Sequence, residues 1–256
     1  MISKPFTIST YSKGFFVGPD LHLGPMPAVF YFALSAKESL ETDPYNQMVV
    51  ALSSFPVRIF SIDLPGHEGV YSPQDAIKSW ASDIERGHDF VTHFVDKVIK
   101  IIEELLRQEV IAPRKIGVAG LSRGGFMACH IAAKMAEVSS VLGYAPVTEL
   151  TSVRAFLHMQ ENALAQSLNL SHLLENLLHC SLRFYIGNRD SMVDTRKCFD
   201  FIADLSESFF RSKHRSPPVE LMIRPSIGSH GHGTSKAVFE KGAHWMAKQL
   251  GVNSYG

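Results

Sequence analysis

The stretch Lys115-Ile116-Gly117-Val118-Ala119-Gly120-Leu121-Ser122-Arg123-Gly124-Gly125-Phe126 decides how this chain is read. A buried apolar strand, Lys115 to Ala119, runs straight into Gly-x-Ser-x-Gly, and a helix-compatible segment, Phe126 to Glu137, follows at once. This is the sequence form of a nucleophile elbow, in which serine sits on a strained strand-to-helix turn with its hydroxyl clear of the sheet. Gly120 and Gly124 flank the serine because strand and helix approach too closely there for a Cβ. The turn also sets the unpaired N–H groups of a helix N-terminus beside the place where negative charge would form.

Outward from the elbow, apolar strand-like runs alternate with longer helical stretches, which implies βαβ units and a mainly parallel sheet of the α/β class. Phe6 to Ser9 and Phe15 to Val17 are short and broken by glycine and proline, as in an antiparallel edge hairpin. Ala28 to Leu34 and Val57 to Ile62 follow as strands. Ile84 to Val110 carries Phe90, Phe94, Val98, Ile101, Ile102 and Leu105 near a 3.6-residue period and reads as one long amphipathic helix. Val138 to Tyr144, Leu182 to Ile186 and Val219 to Ile223 are further strands, and Ala237 to Leu250 is a closing helix. Thr148 to His179 is leucine-rich, helical in character and without a strand signal; it is either an inserted helical cap (148–179) or an ordinary crossover.

The 256 residues suit one α/β unit. The 25 basic and 25 acidic residues cancel, so no basic face points to a nucleic-acid partner. No apolar run is long enough to span a bilayer, and the N-terminus lacks an uninterrupted apolar core with a cleavage site; the chain reads as cytoplasmic. Cys129, Cys180 and Cys198 are too few and too irregular for a disulfide framework or a zinc site.

A serine hydroxyl is a poor nucleophile unless a base lies within hydrogen-bond reach and a third group orients that base. In such a sheet the partners follow in the order serine, acid, histidine. The loop after Leu182 to Ile186 offers Asp190 and Asp194. Asp194 precedes a helical run and has the position of an N-cap, which leaves Asp190 as the orienting carboxylate, ahead of Asp194 and the distant Glu149. After the last strand, Gly228-Ser229-His230-Gly231-His232-Gly233 places two histidines in a glycine-rich loop with nothing apolar around them. One of them is the general base, with His230 the alternative to His232. A metal role for the His-x-His pair lacks a nearby acidic or cysteine cluster. The oxyanion hole calls for two N–H donors: Arg123, after the serine, and a residue of the loop after Ala28 to Leu34, with Leu34 or Ser35 best placed.

Together these positions resemble the α/β-hydrolase superfamily. Ile62-Asp63-Leu64-Pro65-Gly66-His67-Glu68-Gly69 is similar to the Asp-x-Pro-Gly-His-Gly turn of many members, with His67 a loop residue held by side-chain hydrogen bonds. Gly231-His232-Gly233 resembles the catalytic histidine loop of the prolyl-oligopeptidase-like branch, which favours His232 over His230. The resemblance runs from about Phe6 to Leu250. It implies the α/β-hydrolase fold, no cofactor and no metal. It also implies hydrolysis of a small-molecule ester or acyl substrate by a Ser122–Asp190–His232 triad, with Arg123 and Leu34 N–H groups as oxyanion donors. A peptidase or thioesterase would use the same triad, and a non-catalytic binder could keep the same fold. Serine at position 122 disfavours a haloalkane dehalogenase, whose nucleophile is aspartate. One departure stands out: many members carry His-Gly at the end of the third strand, where this chain has Phe32-Ala33-Leu34-Ser35-Ala36-Lys37, so a reshaped oxyanion loop is expected.

Overall fold

A computed structural model describes residues 2–9, 12–67 and 73–255. An eight-stranded sheet runs in the order β1-β2-β4-β3-β5-β6-β7-β8. The hairpin β1 (Lys4–Ser9) and β2 (Ser12–Val17) is antiparallel and forms one edge. β3 (Met26–Phe32), β4 (Arg58–Ser61), β5 (Ile111–Leu121), β6 (Val138–Tyr144), β7 (Ser181–Gly187) and β8 (Val219–Arg224) pair in parallel. The helices are α1 (Ala36–Glu41), α2 (Gln47–Leu52), α3 (Pro73–Glu85), α4 (Phe90–Arg107), α5 (Arg123–Lys134), α6 (Ala163–Ser167), α7 (Thr195–Arg211) and α8 (Lys236–Gln249). The chain has the α/β-hydrolase fold. Among the described residues, no helix is long and apolar enough to cross a membrane.

Both faces of the sheet are covered, so its central strands are apolar on both sides. Along β3, Phe30 and Phe32 join the core under α3, α4, α5 and α7, while Val29 and Tyr31 join the core under α1, α2 and α8. All four are fully buried. The two-residue alternation of the strand thus divides one run of apolar side chains between two layers.

The helix expected over 84–110 is two helices. α3 ends at Glu85, Gly87 takes φ +73°, and α4 restarts behind Asp89, whose carboxylate accepts the Thr92 N–H at 2.9 Å. The apolar period continues across the break, so the pattern conceals a C-terminal glycine and a new N-cap. Of the Asp-x-Pro-Gly-His-Glu-Gly turn, Glu68 and Gly69 lie outside the described residues.

Residues 148–179 form short 3₁₀ turns and α6. Phe156, Met159, Leu170 and Leu177 are buried in the same core as α5 and α7, and Val153 reaches the cavity at Ser122. His130 on α5 ties this segment down: its Nε2–H donates to the Leu168 carbonyl at 3.0 Å. Burial holds His130 near pKa 4, well below its ordinary 6.5.

Because the folded pKa is depressed, the unfolded chain takes up the proton first as pH falls. The His130 contribution is therefore complete above about pH 6.5 and is lost as pH falls towards 4. Urea unfolding should weaken over that window, and in His130→Gln the slope should be shallower by up to about 1.4 kcal/mol per pH unit. An unchanged slope would contradict the buried neutral imidazole. A second expectation concerns the elbow. A Cβ on Gly124 would lie 1.9 Å from the Phe32 carbonyl oxygen, with backbone on both sides of the clash. Gly124→Ala should cost about 3 kcal/mol or more in denaturant unfolding, and a loss near zero would contradict that contact.

Candidate active site

Ser122 joins β5 to α5 with φ 55° and ψ −114°, a conformation that L-residues adopt only under strain. Neighbouring backbone pins it there. Its N–H donates to the Tyr144 carbonyl at 2.8 Å, and its own carbonyl accepts from Gly125 at 3.0 Å and Val147 at 3.2 Å. A Cβ on Gly120 would sit 2.1 Å from the Gly124 carbonyl carbon, which is why glycine stands on both sides of the serine. Although Ser122 has the N-cap position of α5, its hydroxyl makes no capping bond. The Oγ lies instead 3.0 Å from His232 Nε2.

The structure brings Ser122, His232 and Asp190 into one hydrogen-bonded line. His232 Nδ1 is 2.7 Å from Asp190 Oδ2. The Asp190 side chain is fully buried, and its other oxygen accepts the N–H groups of Met192 at 2.9 Å and Val193 at 3.2 Å. These three contacts fix the orientation of the carboxylate. An Nδ1–H donated to Asp190 leaves Nε2 with a lone pair towards the serine hydroxyl.

The loops carrying acid and base are stitched together. Ser191 N–H and Oγ both donate to the His230 carbonyl, at 2.9 and 3.1 Å, and the Arg189 N–H donates to Ser226 Oγ at 2.7 Å. Gly231 has φ +72°, and a Cβ there would meet the Arg189 carbonyl oxygen at 1.9 Å. His230 thus contributes its carbonyl, while its side chain is exposed. Asp194 caps α7, accepting the Arg196 N–H at 2.8 Å, and Glu149 pairs with Lys197 at 2.9 Å. Neither is among the partners of His232.

The loop after β3 differs from expectation. The Leu34 N–H, expected as an oxyanion donor, is given to Ser39 Oγ at 3.0 Å, and so is the Ala33 N–H. Ser35 N–H goes to Glu38 in a capping box at the start of α1, and Ala36 N–H goes to Asp63 at 2.6 Å. Every N–H from Ala33 to Ala36 is therefore engaged. Short polar side chains on α1, only a few residues downstream, capture the loop's donors locally. Arg123 opens α5 directly after Ser122, so its N–H lies in the first turn of the helix.

Above Ser122 lies a cavity of about 370 Å³ lined by apolar side chains, among them Leu34, Ile77, Val147, Val153, Val193 and Phe239. The sequence did not single out Tyr45 or the Arg123 side chain, which also line it. Arg123 Nη2 donates to His67 Nε2 at 3.0 Å and its guanidinium stacks 5.3 Å from the Trp80 ring centroid. An acceptor nitrogen facing a guanidinium must be unprotonated; burial, then the Arg123 charge, lower the His67 pKa to about 4. The Pro-Gly-His turn therefore buttresses the residue next to the serine. A basic residue directly after an elbow serine was the available signal for this contact.

Residues 78–253 match the prolyl oligopeptidase family. No curated protein matches the sequence. Among solved structures, a puromycin-hydrolyzing peptidase of Mycobacterium tuberculosis is similar at 12% identity and TM-score 0.64, over 99% of this chain and 40% of that one. The acylaminoacyl peptidase of Pyrococcus horikoshii is similar at 15% identity and TM-score 0.65, over 96% of this chain and 41% of that one. A cold-adapted esterase from an Arctic intertidal metagenomic library is similar at 16% identity and TM-score 0.64, over 93% and 88%. The likeness to these three is one of fold, and this chain spans about two fifths of the length of the two peptidases. The chain belongs to the prolyl oligopeptidase family, within the α/β-hydrolase superfamily.

Proposed function

We propose that this protein is a serine hydrolase that cleaves a carboxylic ester through an acyl-enzyme. Ser122 Oγ attacks the carbonyl carbon while His232 Nε2 takes its proton, and Asp190 stabilises the imidazolium that results. His232 then returns the proton to the leaving alcohol, and a water deprotonated by the same nitrogen releases the acid. The observation that carries this reading is the unbroken relay, 3.0 Å from Ser122 to His232 and 2.7 Å from His232 to Asp190, opening on an apolar cavity.

The apolar lining of the cavity, with Leu34, Ile77, Val147, Val153, Val193 and Phe239, suits the acyl chain of an ester. Family membership favours the peptidase as the second reading. For the oxyanion we assign the Arg123 N–H as one donor. Leu34 is committed to Ser39, and the hydroxyl-bearing side chains of the cavity besides Ser122 are Tyr45 and Thr234. Thr234 shares the loop of His232, the proton-transfer side. Tyr45, between α1 and α2 and away from the His232 loop, is the better second donor.

Three kinetic outcomes follow, each read on purified protein with short-chain acyl esters, acyl thioesters and aminoacyl arylamides. Esters should turn over fastest, and an arylamide preference would move the assignment to peptidase. Ser122→Ala should lower kcat by about 10⁶ and Asp190→Asn by about 10⁴, while His230→Ala leaves it unchanged; retained ester turnover in Ser122→Ala would sink the mechanism. Tyr45→Phe should lower kcat by about 10² with little change in KM; unaltered kcat would remove Tyr45 from the oxyanion site.

A further inference from the structure

β8 closes one side of the sheet and, among the described residues, pairs with β7 alone. Leu182 N–H donates to the Pro218 carbonyl at 2.8 Å and Asn188 N–H to the Arg224 carbonyl at 2.7 Å. With this parallel register, the even-numbered residues turn their backbone groups to β7, and those of Val219, Leu221 and Ile223 point outward. Such an edge is a template for another strand unless something blocks it.

Its side chains are arranged symmetrically. Glu220, Met222 and Arg224 line a groove beside α8, with Met222 packed on that core. Leu221 packs on the α7 side, and Ile223, on the same face, is 49% exposed. On α7, Phe199 and Phe210 are both exposed and lie about three turns apart, hence along one line of the helix. Glu220 and Arg224 stand at equal distances on either side of Met222, with opposite charges. Arg224 Nε is buried and lacks a hydrogen-bond partner among the described residues.

We propose that this edge joins β8 of a second copy of the chain, antiparallel about a twofold axis at Met222. Self-pairing of this kind places each contact twice. Glu220 of either copy meets Arg224 of the other, and Leu221 meets Ile223. The Leu221–Ile223 positions are the ones whose outward N–H and C=O groups an antiparallel pair exchanges. Pro225, which has no N–H to donate, limits the ladder to this segment. Glu220 also pairs with Arg183 of its own chain, so its two oxygens serve two cations.

Sedimentation velocity across micromolar concentrations tests this on the full chain. The protein should dimerise, and Glu220→Arg and Arg224→Glu should each weaken self-association by at least about tenfold, because like charges then face each other across the axis. Mixing those two variants should restore a dimer, since each edge then carries one sign against the other. Leu221→Pro removes an outward N–H without removing a bond to β7 and should be monomeric. Native melting is checked for every variant; Arg224→Glu and Leu221→Pro keep the test standing if Glu220→Arg, beside Arg183, melts early. A monomer at all concentrations, a dimer that survives Arg224→Glu and Leu221→Pro, or a mixture of folded variants that stays monomeric would overturn the proposal.

Discussion

The approach of α5 to β5 and β3 is the constraint on which the rest depends. The helix begins one residue after the strand ends, and Gly124 packs against the Phe32 carbonyl so closely that a single added carbon would lie 1.9 Å away. Ser122 can turn that corner only at φ 55°, and bonds to Tyr144 and Val147 hold the strain in place. Strain of this kind costs of order 1–3 kcal/mol and persists where surrounding structure over-determines it. Here the two central strands and a helix buried from Arg123 to Ala132 supply that rigidity, and the result is a hydroxyl that projects away from its own helix.

The partners of Ser122 arrive by longer routes, and local bonds remove the slack. Asp190 and His232 follow different strands, β7 and β8, which are neighbours in the sheet. Adjacent strands bring their following loops side by side, and the contacts of Ser191, His230, Arg189 and Ser226 tie those loops into one unit. Precise placement of a base relative to a nucleophile is the condition for proton transfer in the attack step. The opposite wall is built differently: α1 and Asp63 absorb the donors of the β3 loop, and the buried Arg123 guanidinium braces the Pro-Gly-His turn.

Features set by local chemistry were readable in advance, and features set by distant partners were not. The glycine pair at 120 and 124 and the strand runs follow from short-range sterics and periodicity, while the serine–acid–histidine order is what the resemblance to the α/β-hydrolases implies. The N-cap position of Asp194 separated it from Asp190 on the sequence alone, and the structure has Asp194 capping α7. The break between α3 and α4 was hidden because the apolar period runs through Ile84 and on past Phe90, with only Gly87 and Asp89 to mark it. The Leu34 N–H is the exception: its acceptor Ser39 lies only five residues on, yet no spacing marks a helix serine that bonds back to the preceding loop. Arg58, fully buried among the carbonyls of Pro19, Asp20, Gly24 and Val110, has no local signature at all.

Hydrolysis at this site requires that His232 activate Ser122. Reaction of the folded protein with a fluorophosphonate, with the modified peptide located by mass spectrometry, measures that directly. The geometry predicts a single adduct on Ser122, formed at the native rate in His230→Ala and lost in His232→Ala. Absence of labelling at Ser122 in folded protein, or labelling that survives removal of His232, would contradict the relay as a working nucleophile.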